Sequence, residues 1–303
     1  MSGPMNRRNF IGSSLLGAVA GMSLENQALL AQMEQPGDAQ KLSPVTGLPK
    51  GKIGDIEISR LICGGNLFSG FAHSRDLIYV SSLLKNYFTP EKIMDTLESA
   101  EENGINSAIL RCDEHIVGVL NRYRKDRGGK IQWIAQTYPS ENDLTSNIKL
   151  AIDNGAVAAY PQGGIGDSMY KNGKFDLLLE AVAFIRKNGL QGGIGCHHIS
   201  VIQEAEKQKV DCDFYFKTLN VHDYHSEPVN DVSAFFRNAN KPWIAFKVLG
   251  AGMSKPGAGF KMAFSLGADF INVGMFDFQI NEDAKIAKNI LTRKMRRERV
   301  WQS

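Results

Sequence analysis

The run GGIGCHH ends in Cys196, His197 and His198, just ahead of a stretch that reads as a helix. Imidazole titrates near neutrality and ligates divalent ions, so paired histidines at this kind of junction suit proton transfer or metal coordination. The other histidines, His73, His115, His222 and His225, also follow apolar runs and stay out of the amphipathic stretches between them. Two lysines, Lys217 in FYFKTLN and Lys247 in WIAFKVLG, lie inside apolar runs, where an ammonium needs a partner or a task. Together these residues predict metal-assisted acid/base chemistry. His198 and His222 foremost, with His197, Asp223, His225 or Glu114 completing the set, would hold a divalent ion of unspecified identity that polarises a carbonyl. Lys217 or Lys247, with Glu114 as a further candidate, would move the proton or hold the developing enolate. Asn66, Arg75, Asp76, Arg111, Tyr160, Gln162 and Asp277 are the expected hydrogen-bonding set for a polyhydroxylated, carbohydrate-derived small molecule. Asp277 equally suits a helix cap.

The elements that must position these groups alternate regularly. A short segment, GKIGDIEIS, predicts a hairpin, and eight strands follow at 60–66, 105–111, 131–137, 156–162, 192–198, 214–220, 243–250 and 269–275. Helical stretches lie between them, and three end in Asn-Gly (103–104, 154–155, 188–189), which suits a left-handed helix stop. Eight such units in about 250 residues predict an α/β fold, a closed (β/α)8 TIM barrel, rather than an open doubly wound sheet. No GxGxxG follows the first strand. A barrel puts chemistry at the C-terminal strand ends, where the histidines cluster. On strand parity, Ile244, Phe246 and Val248 are expected to face the helices and Lys247 the interior, with Lys217 inside or at the rim.

The chain has 303 residues, is 43% hydrophobic and carries a net charge of +3, too small to argue for nucleic acid. The basic run RKMRRER (293–299) reads as a solvated helix end. Four dispersed cysteines specify neither a zinc ribbon nor a disulfide framework. NRRNFIGSSLLGAVAG near the start predicts a twin-arginine signal over 1–22, with transient use of that export machinery, a periplasmic or otherwise exported product and no stable membrane span after removal. Residues 23–50 read as a disordered linker and 51–303 as one barrel domain with a basic C-terminal tail.

Over residues 51 to 291 the chain resembles the aldo-keto reductase superfamily, through GDIEISRLICGGN, SAEENGINSAILR, GIGCHHISVIQEA and KPWIAFKVLGAG. It looks closest to a divergent, exported branch. The resemblance implies the barrel, and in reductases of the family an Asp, Tyr, Lys and His set working with NADPH. The matching positions here hold Ile109, about Glu114, Gln136 with Thr137, and no histidine after the fourth strand, where Gln162 stands. The leading expectation is therefore an enzyme of lyase, hydratase or epimerase type acting on an oxidised, sugar-like substrate. The alternative is NADPH-dependent carbonyl reduction, with Lys247, Gly250, Gly252 and a helix beginning near Pro256 cradling a phosphate. Two further alternatives are imine chemistry at Lys217 and a non-catalytic ligand-binding barrel. Within the histidine pair, the resemblance favours His198 as the ligand, with His197 in support.

Overall fold

The computed structural model describes residues 43–71 and 77–303. The twin-arginine segment, His73, Arg75 and Asp76 lie outside the described residues. Strands β1 (Lys50–Ile53) and β2 (Ile56–Ser59) form the antiparallel hairpin expected from GKIGDIEIS. The barrel strands are β3 (Leu61–Gly64), β4 (Ser107–Arg111), β5 (Gln132–Thr137), β6 (Ala156–Pro161), β7 (Gln191–Cys196), β8 (Phe214–Thr218), β9 (Trp243–Phe246) and β10 (Phe270–Gly274). All pair in parallel with their sequence neighbours, and β10 closes on β3. The eight predicted strands are all present, and the barrel is confirmed.

Helices α1 (Val80–Tyr87) and α2 (Pro90–Glu102) follow β3, α3 (Glu114–Arg127) follows β4, and α4 (Ser146–Asp153) follows β5. Helices α5 (Gly163–Lys171) and α6 (Phe175–Lys187) follow β6; α7 (Ile199–Lys207), α8 (Val229–Phe236), α9 (Pro256–Ser265) and α10 (Asp277–Thr292) follow β7 to β10 in turn. The three Asn-Gly stops behave as read: Asn103, Asn154 and Asn188 cap their helices, and each following glycine takes positive φ. No described helix is long and apolar enough to cross a membrane.

Two apolar layers hold the barrel. The larger lies between strands and helices; the smaller fills the barrel interior with Ile62, Ile109, Ile134, Tyr160, Phe214, Phe216, Ile244, Phe246 and Phe270. Ile53 and Ile58 of the hairpin join the inner layer, so the hairpin stoppers the N-terminal end. The interior accepts so many rings because β7 offers glycines there. A Cβ on Gly193 would stand 2.3 Å from the Phe214 ring, and one on Gly195 2.6 Å from the Tyr160 ring.

This filling reverses the expected parity. Ile244 and Phe246 point inward while Ala245 packs towards the helices, with Val248, beyond the strand, on the helix side as expected; on β8 Phe214 and Phe216 point inward while Tyr215 packs outward. Lys217, one residue after Phe216, is fully buried outside that inner layer.

Both ends of the domain depart from expectation. Val45 and Leu48 are buried, and β1 opens at Lys50, so the packed domain begins upstream of residue 51. The basic run is no solvated helix end. After α10 stops at Thr292, Arg297 donates to the carbonyls of Phe264, Gly267 and Ala268. Arg299 is buried and paired with Asp269 at 2.7 Å.

Candidate active site

A cavity of about 380 Å³ opens at the C-terminal ends of the strands, with a residue from or just after every barrel strand in its wall. Phe216 and Phe246 line it as a parallel stack, centroids 4.1 Å apart, and His197 meets Phe246 edge-on at 5.3 Å. Its polar wall is dominated by carboxamides: Asn66, Gln136, Gln162, Asn272 and Gln279. Among the described lining residues the ionisable groups are His197, Tyr224 and Lys247, with no carboxylate, so the cavity favours a neutral or anionic guest.

His197 follows β7, and Asp167 of α5 fixes it. Its Nδ1 lies 2.7 Å from Asp167 Oδ2, and its backbone N–H and that of His198 both donate to the same carboxylate. From the strand side, the Thr218 hydroxyl donates to the His197 carbonyl at 3.1 Å. With the Nδ1 proton engaged by Asp167, Nε2 carries the free lone pair, the arrangement a general base requires. Burial pushes the Asp167 carboxyl up, but the hydrogen bonds and charge of His197 and the His198 amide outweigh it and hold it below the ordinary carboxylate range. Asp167 was not foreseen. Its signal was faint: Gln162 follows β6 directly and caps α5, so a residue one turn into that helix lies beside the end of β7.

Lys247 reaches the cavity by a route parity did not predict. Strand β9 ends at Phe246, and Lys247 takes a left-handed φ of 56°, which breaks the alternation and puts it in the cavity wall. Its Nζ lies 5.4 Å from the Tyr224 ring centroid and 5.9 Å from that of Phe246, and burial lowers its pKa to about 8. Gly250, Ala251 and Gly252 continue the left-handed backbone, and the last two line the cavity.

Asn66 and Gln162 meet the cavity as expected. The Gln162 side-chain oxygen accepts from Ile165 N and the Gln279 oxygen from Phe276 N, leaving their amino groups to donate. The side-chain oxygen of Asn272 is buried without a hydrogen-bond partner among the described residues.

Other expectations are corrected. Lys217 is absent from the cavity wall; its Nζ lies 2.9 Å from Glu227 Oε2 and donates to the Thr218 hydroxyl, so it braces β8 against the segment leading to α8. Tyr160 lies wholly in the inner core, its hydroxyl donating to Gln136. Glu114 sits exposed in the first turn of α3, beside the capping residue Asp113, and His115 follows it into that helix. Asp277 opens α10 and binds Lys92 and the Tyr87 hydroxyl, holding α1 and α2 rather than a ligand. Arg111 lies behind the wall, stacked between Phe71 and Tyr138.

The expected metal set does not assemble. Among the described residues, no three His, Cys, Asp or Glu side chains form a group able to hold an ion. The His198 imidazole is 70% exposed, its Nδ1 3.7 Å from Glu227, which leaves His197 as the member of the pair that meets the cavity. His222 is exposed and bonded to Ser254, Asp223 is exposed, and His225 packs on Tyr224 with its ring 5.9 Å from that of His197. Burial, then the charges of Lys247, His197 and His198, keep the His225 pKa below the ordinary value.

Neither a family model nor a curated protein matches this sequence. Solved structures do. A protein from Pseudomonas aeruginosa provisionally assigned as an aldo-keto reductase is 13% identical, with a TM-score of 0.63 over 82% of this chain and 98% of that one. Gox0644, a variant of which was solved with NADPH, is 9% identical at a TM-score of 0.55 in its apo form, over 84% of this chain and 98% of that one. The 7,8-dihydropteroate synthase of Vibrio fischeri is 10% identical at 0.51, over 81% and 99%. At these identities the likeness concerns the fold alone, a (β/α)8 TIM barrel that reductases and a synthase share.

Proposed function

We propose that this barrel is a proton-transfer enzyme of lyase, hydratase or epimerase type, acting after twin-arginine export on an oxidised, polyhydroxylated, sugar-like molecule. The observation that carries the reading is the pairing of His197 with Asp167 in a cavity whose only cationic side chain among the described residues is the half-desolvated Lys247. His197 Nε2 removes the proton beside a carbonyl, and Asp167 steadies the imidazolium that forms. The Lys247 ammonium, poorly solvated and therefore electrostatically strong, stabilises the enolate oxygen. The carboxamides hold the substrate hydroxyls, each group being donor and acceptor like the hydroxyl it meets. Protonation of the enolate on its other face by solvent inverts the centre; transfer of the imidazolium proton to a β-hydroxyl instead expels it as water and dehydrates the substrate.

The test is exchange of the α-hydrogen of keto-sugars and uronates in deuterated water, followed by NMR. Exchange that His197→Gln lowers by about a hundredfold or more supports the reading. Ligand binding with no exchange in any probe would reduce the barrel to a binding protein.

A second reading, NADPH-dependent reduction, draws on the loop after β9: Lys247, Ala251 and Gly252 would hold the cofactor phosphate, and the cofactor would supply hydride. The positions of the reductase set favour it less, since Ile109 is apolar and Glu114 faces solvent. A fluorescence titration separates the two, because the proton-transfer reading needs no NADPH binding.

A further inference from the structure

We infer that Phe71 is an outer subsite for the C–H face of a pyranose ring, so that the site takes a substrate of disaccharide length. The inference rests on the proposed reading that the inner cavity holds an oxidised sugar. Phe71 lines the cavity and remains 52% exposed, so the ring keeps a face open to a guest at the cavity's edge.

The ring is firmly backed. The Arg111 guanidinium lies 4.1 Å from its centroid and 4.3 Å from that of Tyr138, so the arginine is sandwiched between two rings. Arg111 also donates through Nε to Asp113 at 3.2 Å and through Nη1 to the Tyr138 hydroxyl. Asp113 in turn accepts from Ile116 N as the cap of α3, and the Phe71 amide donates to the Asn66 carbonyl at 2.8 Å. The platform is therefore tied both to a helix terminus and to the cavity loop. A ring held in advance loses little freedom when a ligand stacks on it.

The chemistry of the guest follows from what surrounds the ring. With a guanidinium already on one face, a second cation on the other is disfavoured. A pyranose presents an apolar C–H face with hydroxyls around its edge, and Phe71 sits in the same wall as the carboxamides of Asn66, Gln136 and Gln162. This also gives Arg111 a role: it positions Phe71 rather than touching the substrate.

Calorimetric titration with gluconate and lactobionate, which share one aldonate end and differ by a galactopyranosyl ring, tests the inference. Lactobionate is expected to bind wild-type protein about tenfold more tightly, the gain from one aromatic contact with its buried area. That ratio should fall to about one in Phe71→Ala and persist in Phe71→Trp, which keeps an aromatic face and shows that the loop still folds. Equal affinities in the wild type, or a ratio untouched by Phe71→Ala, overturn the outer subsite and leave the acid/base reading standing. Binding of neither probe overturns the subsite together with the sugar-acid assignment.

Discussion

His197 depends on one carboxylate for both its proton position and its backbone placement. In Asp167→Asn an amide N–H replaces one of two oxygens that accept from the ring and from two main-chain amides. The ring then loses its orientation, and kcat/KM for the exchange reaction should fall by about 10²- to 10⁴-fold with the circular dichroism unchanged. Activity within threefold of wild type would remove the pair from the mechanism. Lys247 makes the opposite trade. Its pKa falls from 10.5 to about 8 on folding because burial disfavours the charge. The unfolded chain thus binds more protons between those values, and this group's contribution to stability rises with pH through that window and is least favourable below about 8. Lys247→Met should therefore stabilise the protein at pH 7 by about 2–3 kcal/mol while abolishing activity. In the wild type, kcat/KM should decline as pH climbs through about 8, where the ammonium is lost. A thermal scan of the variant and a pH profile of the parent check both.

At the scale of elements, the string GGIG occurs twice and does two different things. At 163–166 it opens α5, and at 192–195 it forms most of β7. The two copies pack on each other: a Cβ on Gly166 would stand 2.2 Å from the Gly195 carbonyl oxygen. That approach lets the helix lie close enough for Asp167, the next residue, to reach His197. Gly166→Ala should therefore push α5 outward, destabilise the fold by about 1–3 kcal/mol and lower activity along with stability. Denaturant titration and the exchange assay measure the two effects, and an unaltered midpoint would contradict the packing argument. Local composition cannot distinguish the copies. Gln162 caps the first, while neighbouring strands β6 and β8 claim the second.

Over the whole molecule, the C-terminal residues reinforce the hairpin in closing the end remote from the site. Asp269 accepts from Trp243 N, Gln302 N and Arg299. Arg60 lies 3.6 Å from the Trp301 ring centroid and donates to the Ser303 hydroxyl. Arg299→Met removes the ion-pair partner of buried Asp269 and leaves it the charges of Arg60 and Arg297, and stability should drop by about 2–4 kcal/mol, with partial recovery in Arg299→Met/Asp269→Leu. Urea unfolding of the two variants tests the claim; a single variant as stable as its parent would show that the tail is dispensable.

Strand and helix order, the Asn-Gly stops and the barrel were legible in the sequence because they follow from local periodicity and turn chemistry, which act between near neighbours. The mouth of the barrel as the place of a polar cavity was legible too, since the topology dictates it, and Asn66, Gln162, His197 and Lys247 line that cavity. The tertiary structure alone decided which faces point inward. In β9 every side chain is apolar and in β8 three aromatic residues follow one another ahead of Lys217, so parity carries little signal, and the choice passes to volume: the glycines of β7 make room for Phe214 and Tyr160. It alone also chose His197 over His198 and denied Lys217 the cavity. Those outcomes depend on Asp167 and Glu227, carboxylates about thirty and ten residues away in sequence, which only the closed barrel brings within hydrogen-bond reach.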